Sequence, residues 1–347
     1  MVNEDGVDVA AWYWDSLIAN TVAHVFPGSG AGAMGNEGAR LLITGRPGTG
    51  KTTYAYYGLK IGYIKYLLAA RCRDTGNSIY CVDDQARKLY KEELNRLSSK
   101  PLDEWGRELL YRRVLAEVLP DALEALEKRY GELCFGAGCS KPDGIDEKLR
   151  FMVLVSESDV DALEELIQSV LLGEAKPPKA LFLDDMVYKS NFWDPEYRVL
   201  YRELKELLLH HRITIPLLIA TAVDRKEVIG VYVRASRNID TVRRAVEVRD
   251  PETEEEKTIT FISYRWFREV TLSRRGYDYE GNTDVSAVFT GYTIMGRDYI
   301  PKLAKFRMPR WFEEAHVDRR RRHLLRVFMK AGKMRKKAKE EEEDAKH

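Results

Sequence analysis

Arg40-Leu-Leu-Ile-Thr-Gly-Arg-Pro-Gly-Thr-Gly-Lys-Thr-Thr53 is the stretch on which the reading of this 347-residue chain turns. Its first five residues form a short apolar run ended by Gly45, and residues 52–72 beyond it have the length and spacing of a long helix. Gly45, Gly48 and Gly50 lie between the two and let the backbone wrap tightly. A strand, a glycine turn and a helix in this order aim successive backbone N–H groups, and the positive end of the helix, at one point. Such a point attracts an anion.

Gly45-Arg46-Pro47-Gly48-Thr49-Gly50-Lys51-Thr52, followed by Thr53, matches G-x-x-x-x-G-K-[ST] at every fixed position. In that motif the lysine brings a point charge to the β and γ phosphates of a nucleotide, and the hydroxyl after it completes a Mg²⁺ shell. On these residues the chain resembles the P-loop NTPase family, over residues 40–240. The resemblance implies an α/β core with a mainly parallel sheet covered by helices, with ATP and Mg²⁺ as cofactors.

Alternating elements along the chain agree with such a core. Residues 7–26 have helical spacing, and the glycine-rich run Gly28 to Gly38 leads into the core. Ser78–Val82, Phe151–Val155, Ala180–Leu183 and Pro216–Thr221 read as strands. Residues 84–150 read as an inserted block of two or three helices broken at Pro101 and Pro120. Val242–Val248 and Thr258–Trp266 flank the acidic turn 250–257 and read as a hairpin, within a 241–310 segment whose second half has no assignable pattern. Residues 311–347 read as a basic helix and tail, and residues 1–39 as an N-terminal lead.

The family's second site is an acid ending an apolar strand, and two places fit. Ala180-Leu-Phe-Leu-Asp184-Asp185 fits best; Ile79-Tyr-Cys-Val-Asp83-Asp84 is the rival. The resemblance narrows to the branch with an additional catalytic acid, the AAA+ and RecA-like ATPases. It implies Asp184 as the metal-linked acid beside Thr52 and Asp185 as the group that polarises the attacking water. Asp185 stands where the branch has Glu, one methylene shorter. Thr221, ending an apolar strand, resembles the sensor beside the γ phosphate. Arg234 and Arg237 fall where AAA+ proteins place an arginine finger, which implies a homo-oligomer. The strings Leu-Phe-Leu-Asp-Asp, Tyr-Arg-Glu-Leu-Lys and Ile-Pro-Leu-Leu-Ile-Ala-Thr also look like those of small ATPases carried by archaeal viruses and plasmids. That likeness implies replication, packaging or regulation.

Charge distribution adds a partner. The whole chain is nearly neutral, with 56 basic against 55 acidic residues, yet residues 319–339 hold eleven Arg or Lys and no acid. Arg319, Arg320, Arg321, Arg322 and Arg326 with Leu324, Leu325, Val327, Phe328 and Met329 suggest a helix with one basic and one apolar face, suited to nucleic-acid phosphates, an anionic membrane surface or an acidic partner; a nucleic acid, with DNA favoured, is the first choice. Arg243, Arg244 and Arg249 on the hairpin extend that surface. No apolar run has the length of a spanning helix and no basic leader precedes one, so a cytoplasmic protein without integral membrane association is expected. Only two glutamines accompany many charged residues and tyrosines, a composition thermophiles favour.

Four cysteines are too few and too scattered for a secreted disulfide scaffold, and Cys134 with Cys139 is the candidate redox or metal half-site. Trp12, Tyr13, Trp14, Tyr56 and Tyr57 are expected in the core or against adenine. The expected function is a Mg²⁺-dependent ATPase coupled to a nucleic-acid transaction. One alternative is a small-molecule kinase using Asp83 or Asp84; another is an ATP-gated DNA-binding or assembly protein with negligible turnover.

Overall fold

Lys51–Thr75, the helix that follows the glycine turn, is buried on all sides from Tyr54 to Lys65 and organises everything packed around it. The computed structural model describes residues 4–25, 39–46, 50–97, 102–131, 133, 144–157, 180–184, 217–224, 228, 237–249, 256–277 and 283–299. In chain order these form α1 (Glu4–Tyr13), α2 (Leu17–Val25), β1 (Ala39–Thr44), α3 (Lys51–Thr75), a 3-10 turn (Ser78–Tyr80), α4 (Val82–Arg96), α5 (Glu104–Tyr130), α6 (Gly144–Met152), β2 (Val153–Glu157), β3 (Ala180–Asp184), β4 (Leu217–Ala222), β5 (Arg237–Arg249), β6 (Glu256–Tyr277) and β7 (Thr283–Tyr299).

The strands make a seven-stranded sheet ordered β2-β3-β4-β1-β5-β6-β7. Neighbours from β2 through β5 are parallel; β5-β6 and β6-β7 are antiparallel. Leu41-Leu-Ile43, Ala180-Leu-Phe-Leu183 and Leu217–Ala222 are buried throughout, as expected of inner parallel strands covered on both faces. Thr44 is level with Asp240 of β5, and β5 runs on nine residues to Arg249, about 30 Å past the end of β1 at strand rise.

An all-round buried helix has no polar face, so each polar group on α3 needs a partner inside the protein. Glycines let α2 lie directly on it: a Cβ at Gly58 would stand 2.6 Å from Ile18 Cβ, and one at Gly62 2.7 Å from the Ala19 carbonyl oxygen. Buried Lys60 pairs with Asp146 of α6 at 3.0 Å, and the Tyr56 hydroxyl donates to the same carboxylate. Because α6 runs without a break into β2, this fastens α3 to the far side of the sheet.

Lys65 serves the opposite corner. Its ammonium donates to Asp15 Oδ1 (3.0 Å) and Asn20 Oδ1 (3.1 Å) and pairs with Asp83 Oδ1 (3.2 Å), which also accepts from Trp14 Nε1 at 2.7 Å. Burial raises the pKa of Asp15, but the charges of Lys65 and Arg112 and hydrogen bonds from Tyr111 and Lys65 outweigh it, leaving the carboxyl below its ordinary 3.8. A carboxyl with a depressed folded pKa contributes stability that is whole above the unfolded value and is lost as pH falls through the folded one. Urea midpoints between pH 5 and pH 2 are therefore expected to fall more steeply for wild type than for Asp15→Asn. Parallel curves would show that Asp15 contributes nothing to acid sensitivity.

Several sequence expectations are corrected. The stretch expected as one helix holds two, α1 and α2, because Ser16 starts the second by accepting from Ala19 N at 3.2 Å. Ser78–Val82 is no strand. Asn77 accepts from Ile79 N to open a 3-10 turn, and Asp83 and Asp84 occupy the first turn of α4, where acids suit the helix dipole. Pro120 does not end its helix: α5 continues to Tyr130 since Pro120 is exposed while Val118, Leu119, Ala122, Leu123 and Leu126 are buried. Several such side chains, at about 1.5–3 kcal/mol each, outweigh the roughly 3 kcal/mol of a helical proline. The strand expected at 151–155 begins at Val153, and the unassigned 267–300 contributes to β6 and β7.

Tyr13, Trp14, Tyr56 and Tyr57 are core residues, 0–2% exposed, and Trp12 lies against the Arg112 guanidinium. Cys72 and Cys81 form a disulfide that sequence reading missed. Closing so short a loop restricts the unfolded chain by roughly 2–3 kcal/mol. The available signal was the Gly76-Asn77 turn midway between the two cysteines.

Candidate functional site

β1 delivers the chain to the carboxyl edge of the sheet, where the turn begins. Gly45 N donates to the Ala222 carbonyl at 3.3 Å, tying the turn's first residue to the end of β4. Gly50 closes the turn at φ 82°, ψ 24°, a left-handed conformation that glycine adopts without steric cost. Its carbonyl then accepts from Tyr54 N at 2.8 Å as the first bond of α3.

Lys51 is the first residue of α3 and only 7% exposed. Its Nζ donates to the Gly45 carbonyl at 2.9 Å and to the Arg46 carbonyl at 3.3 Å, so the ammonium lies folded over the start of the turn. Thr52 and Thr53 follow in the first helical turn, both half-buried. Pro47, Gly48 and Thr49 lie outside the described residues.

Strand register fixes what else reaches this edge. Ile43 is paired with Thr221 and Thr44 with Ala222. Leu183 is paired with Ala220, so Asp184, the next residue, comes level with Thr221 one strand further in. Glu157 of β2 is paired with Asp184 in turn. The turn, Thr221, Asp184 and Glu157 thus lie in sequence along the same edge. Thr221 is fully buried and Thr44 nearly so. Glu157 was missed from sequence because the strand 151–155 was placed two residues too early; it ends that strand as Asp184 ends β3.

Arg237 stands apart from this edge. It is paired with Leu41, three residues before Thr44, and so lies about 10 Å back along β1 at strand rise. Asp185, Arg234, the basic residues Arg319–Arg322 and Arg326, and Cys134 with Cys139 lie outside the described residues. Asp83, the rival acid, is bound to Lys65, fourteen residues along α3 from Lys51 and thus about 21 Å up the helix axis. It is remote from the glycine turn.

Among the described residues no helix is long and apolar enough to cross a membrane. Comparison with protein-family models, curated proteins and solved structures returned no significant match.

Proposed function

We propose that the chain is a Mg²⁺-dependent ATPase of the P-loop class whose binding and hydrolysis of ATP serve a nucleic-acid transaction, DNA being the favoured partner. The observation that carries this reading is the conjunction at one sheet edge of the motif's Gly45, Gly50, Lys51 and Thr52 with Thr221 and Asp184. The motif by itself names a phosphate-binding turn; an acid and a buried threonine level with it on neighbouring strands add what phosphoanhydride cleavage needs.

The chemistry follows from the donors. Backbone N–H groups of the turn and the first turn of α3 hold the phosphates, and Lys51 exchanges its carbonyl partners for β and γ oxygens. Thr52 and Asp184 offer hard oxygen ligands, the donor type Mg²⁺ takes when it retains several waters and phosphate oxygens. Asp185 accepts the proton of a water that attacks the γ phosphorus in line, as the bond to the bridging β–γ oxygen breaks. Thr221 reports on the γ phosphate through its hydroxyl. Arg234 or Arg237 of a neighbouring copy neutralises charge on the transferred group. Of the two acids a small-molecule kinase would use, Asp83 is engaged by Lys65 and Trp14, and Asp84 follows it in the first turn of α4.

The test is ATP turnover with and without single- and double-stranded DNA at 50 and 200 mM salt, at raised temperature. DNA is expected to stimulate turnover, and the stimulation to fade with salt because Lys and Arg contacts to phosphate release counterions. Turnover that DNA leaves unchanged at both salts would refute the nucleic-acid coupling, and the absence of turnover would refute the ATPase.

A further inference from the structure

Helix α4 is fully buried only at its start; further along, Leu89 and Tyr90 are partly buried against the core, and Tyr90 meets Tyr111 of α5 edge-on at 5.3 Å. The only buried residues of α4 are Val82 and Ala86, both near its start. The turn that feeds it buries nothing: Arg73 to Ile79 are exposed, and the hydrogen bonds among Thr75, Asn77, Ser78 and Gln85 that shape it are exposed as well. At Cys81, immediately before Val82, the chain is bonded to Cys72 in the last turns of α3, and both cysteines are half-buried rather than sealed in the core. Two residues further on, the Asp83 carboxylate takes Trp14 Nε1 and the Lys65 ammonium.

The covalent bond and the charged contact thus act in series on one helix start, where the turn itself lends only a partly buried Tyr80 to the core. We infer that the Cys72–Cys81 disulfide is a redox-operated latch on α4. A dithiol reductant attacks one sulfur, leaves as its own disulfide, and delivers two electrons and two protons that convert the bond to two thiols. The start of α4 is then held by buried Val82 and Ala86, by Asp83 and by the exposed Gln85–Ser78 hydrogen bond. Its opening withdraws Asp83 from Lys65 and uncovers the surface formed by Trp14, Lys65 and Tyr111, against which α4 lies. Lys65 keeps Asp15 and Asn20, and α2 keeps its seat on Gly58 and Gly62, so the change is confined to this corner. The inference does not depend on nucleotide chemistry.

The experiment is hydrogen exchange by mass spectrometry on the full chain, before and after native-state treatment with a dithiol, with Cys72 and Cys81 alkylation read by peptide mapping. On reduction, exchange at residues 82–90 is expected to rise about tenfold or more while α5 keeps its protection. Asp83→Asn in the oxidised protein is expected to produce a smaller rise at the same peptides, and reduction of that variant a larger one than in wild type. The latch is overturned if alkylation at both cysteines leaves residues 82–90 as protected as before. It is equally overturned if the bond resists the dithiol in the folded protein, or if α3 and α5 lose protection together, which would make the disulfide a global staple.

Discussion

ATP turnover by Lys51→Met is expected to fall about 10²–10³-fold or more, the loss that follows removal of one preorganised donor from a transition state that develops charge. Methionine matches the length of lysine's apolar stem, with sulfur in place of one methylene, and lacks the ammonium. That ammonium lies on the Gly45 and Arg46 carbonyls at 2.9 and 3.3 Å, and Lys51 is 7% exposed. Its loss leaves the buried elements behind it, β1 and α3, with every apolar contact they had. The urea midpoint is therefore expected to move little while turnover collapses, and the split between the two readouts is the informative result. If turnover persists within threefold of wild type, the nucleotide reading of the glycine turn is wrong.

Gly62→Ala is expected to destabilise the protein by about 1–3 kcal/mol, the usual cost of overpacking a filled core. Helix propensity predicts the opposite sign, since alanine in a helix interior is favoured over glycine by roughly 1 kcal/mol. Contact distances decide the sign. The new Cβ would stand 2.5 Å from Val22 Cβ and 2.7 Å from the Ala19 carbonyl oxygen, and the latter is backbone, so α2 has to move as a body. Gly62→Val adds two methyl groups to the same conflict and is expected to cost more than Gly62→Ala. Chemical denaturation of the two variants against wild type settles it, and a raised midpoint for Gly62→Ala would mean that α2 is not seated on that face of α3. Because α3 begins with Lys51, a displaced α2 is also expected to lower turnover more than stability alone explains.

The parts of the fold legible in the sequence are those specified locally. Arg40–Thr44, Ala180–Leu183 and Pro216–Thr221 are apolar runs of strand length bounded by glycine, proline or acids, and strands lie on each of them. The glycine turn is legible for the same reason, because its spacing is the backbone geometry. The Ser78–Val82 expectation failed where two local signals compete. Ile-Tyr-Cys-Val has strand composition, but Asn77 caps a turn and Asp83-Asp84 suit a helix start, and capping won. Pro120 misled for the converse reason: a local breaker was outweighed by a buried face that only tertiary packing supplies.

Sequence by itself determined the glycine turn, the helix that follows it and the strand ends that carry Thr221 and Asp184, since each is fixed by residue spacing within one element. Only the tertiary structure decided that β4 lies between β1 and β3, bringing Thr221 and Asp184 level with the turn, because strand order depends on pairings between segments well over a hundred residues apart. It also decided that Lys60 and Lys65 are buried against Asp146, Asp15 and Asp83, and that Cys72 finds Cys81. A lysine or a cysteine in a helical pattern reads the same whether its partner is water or a side chain from elsewhere in the chain; the partner exists only once the fold has closed.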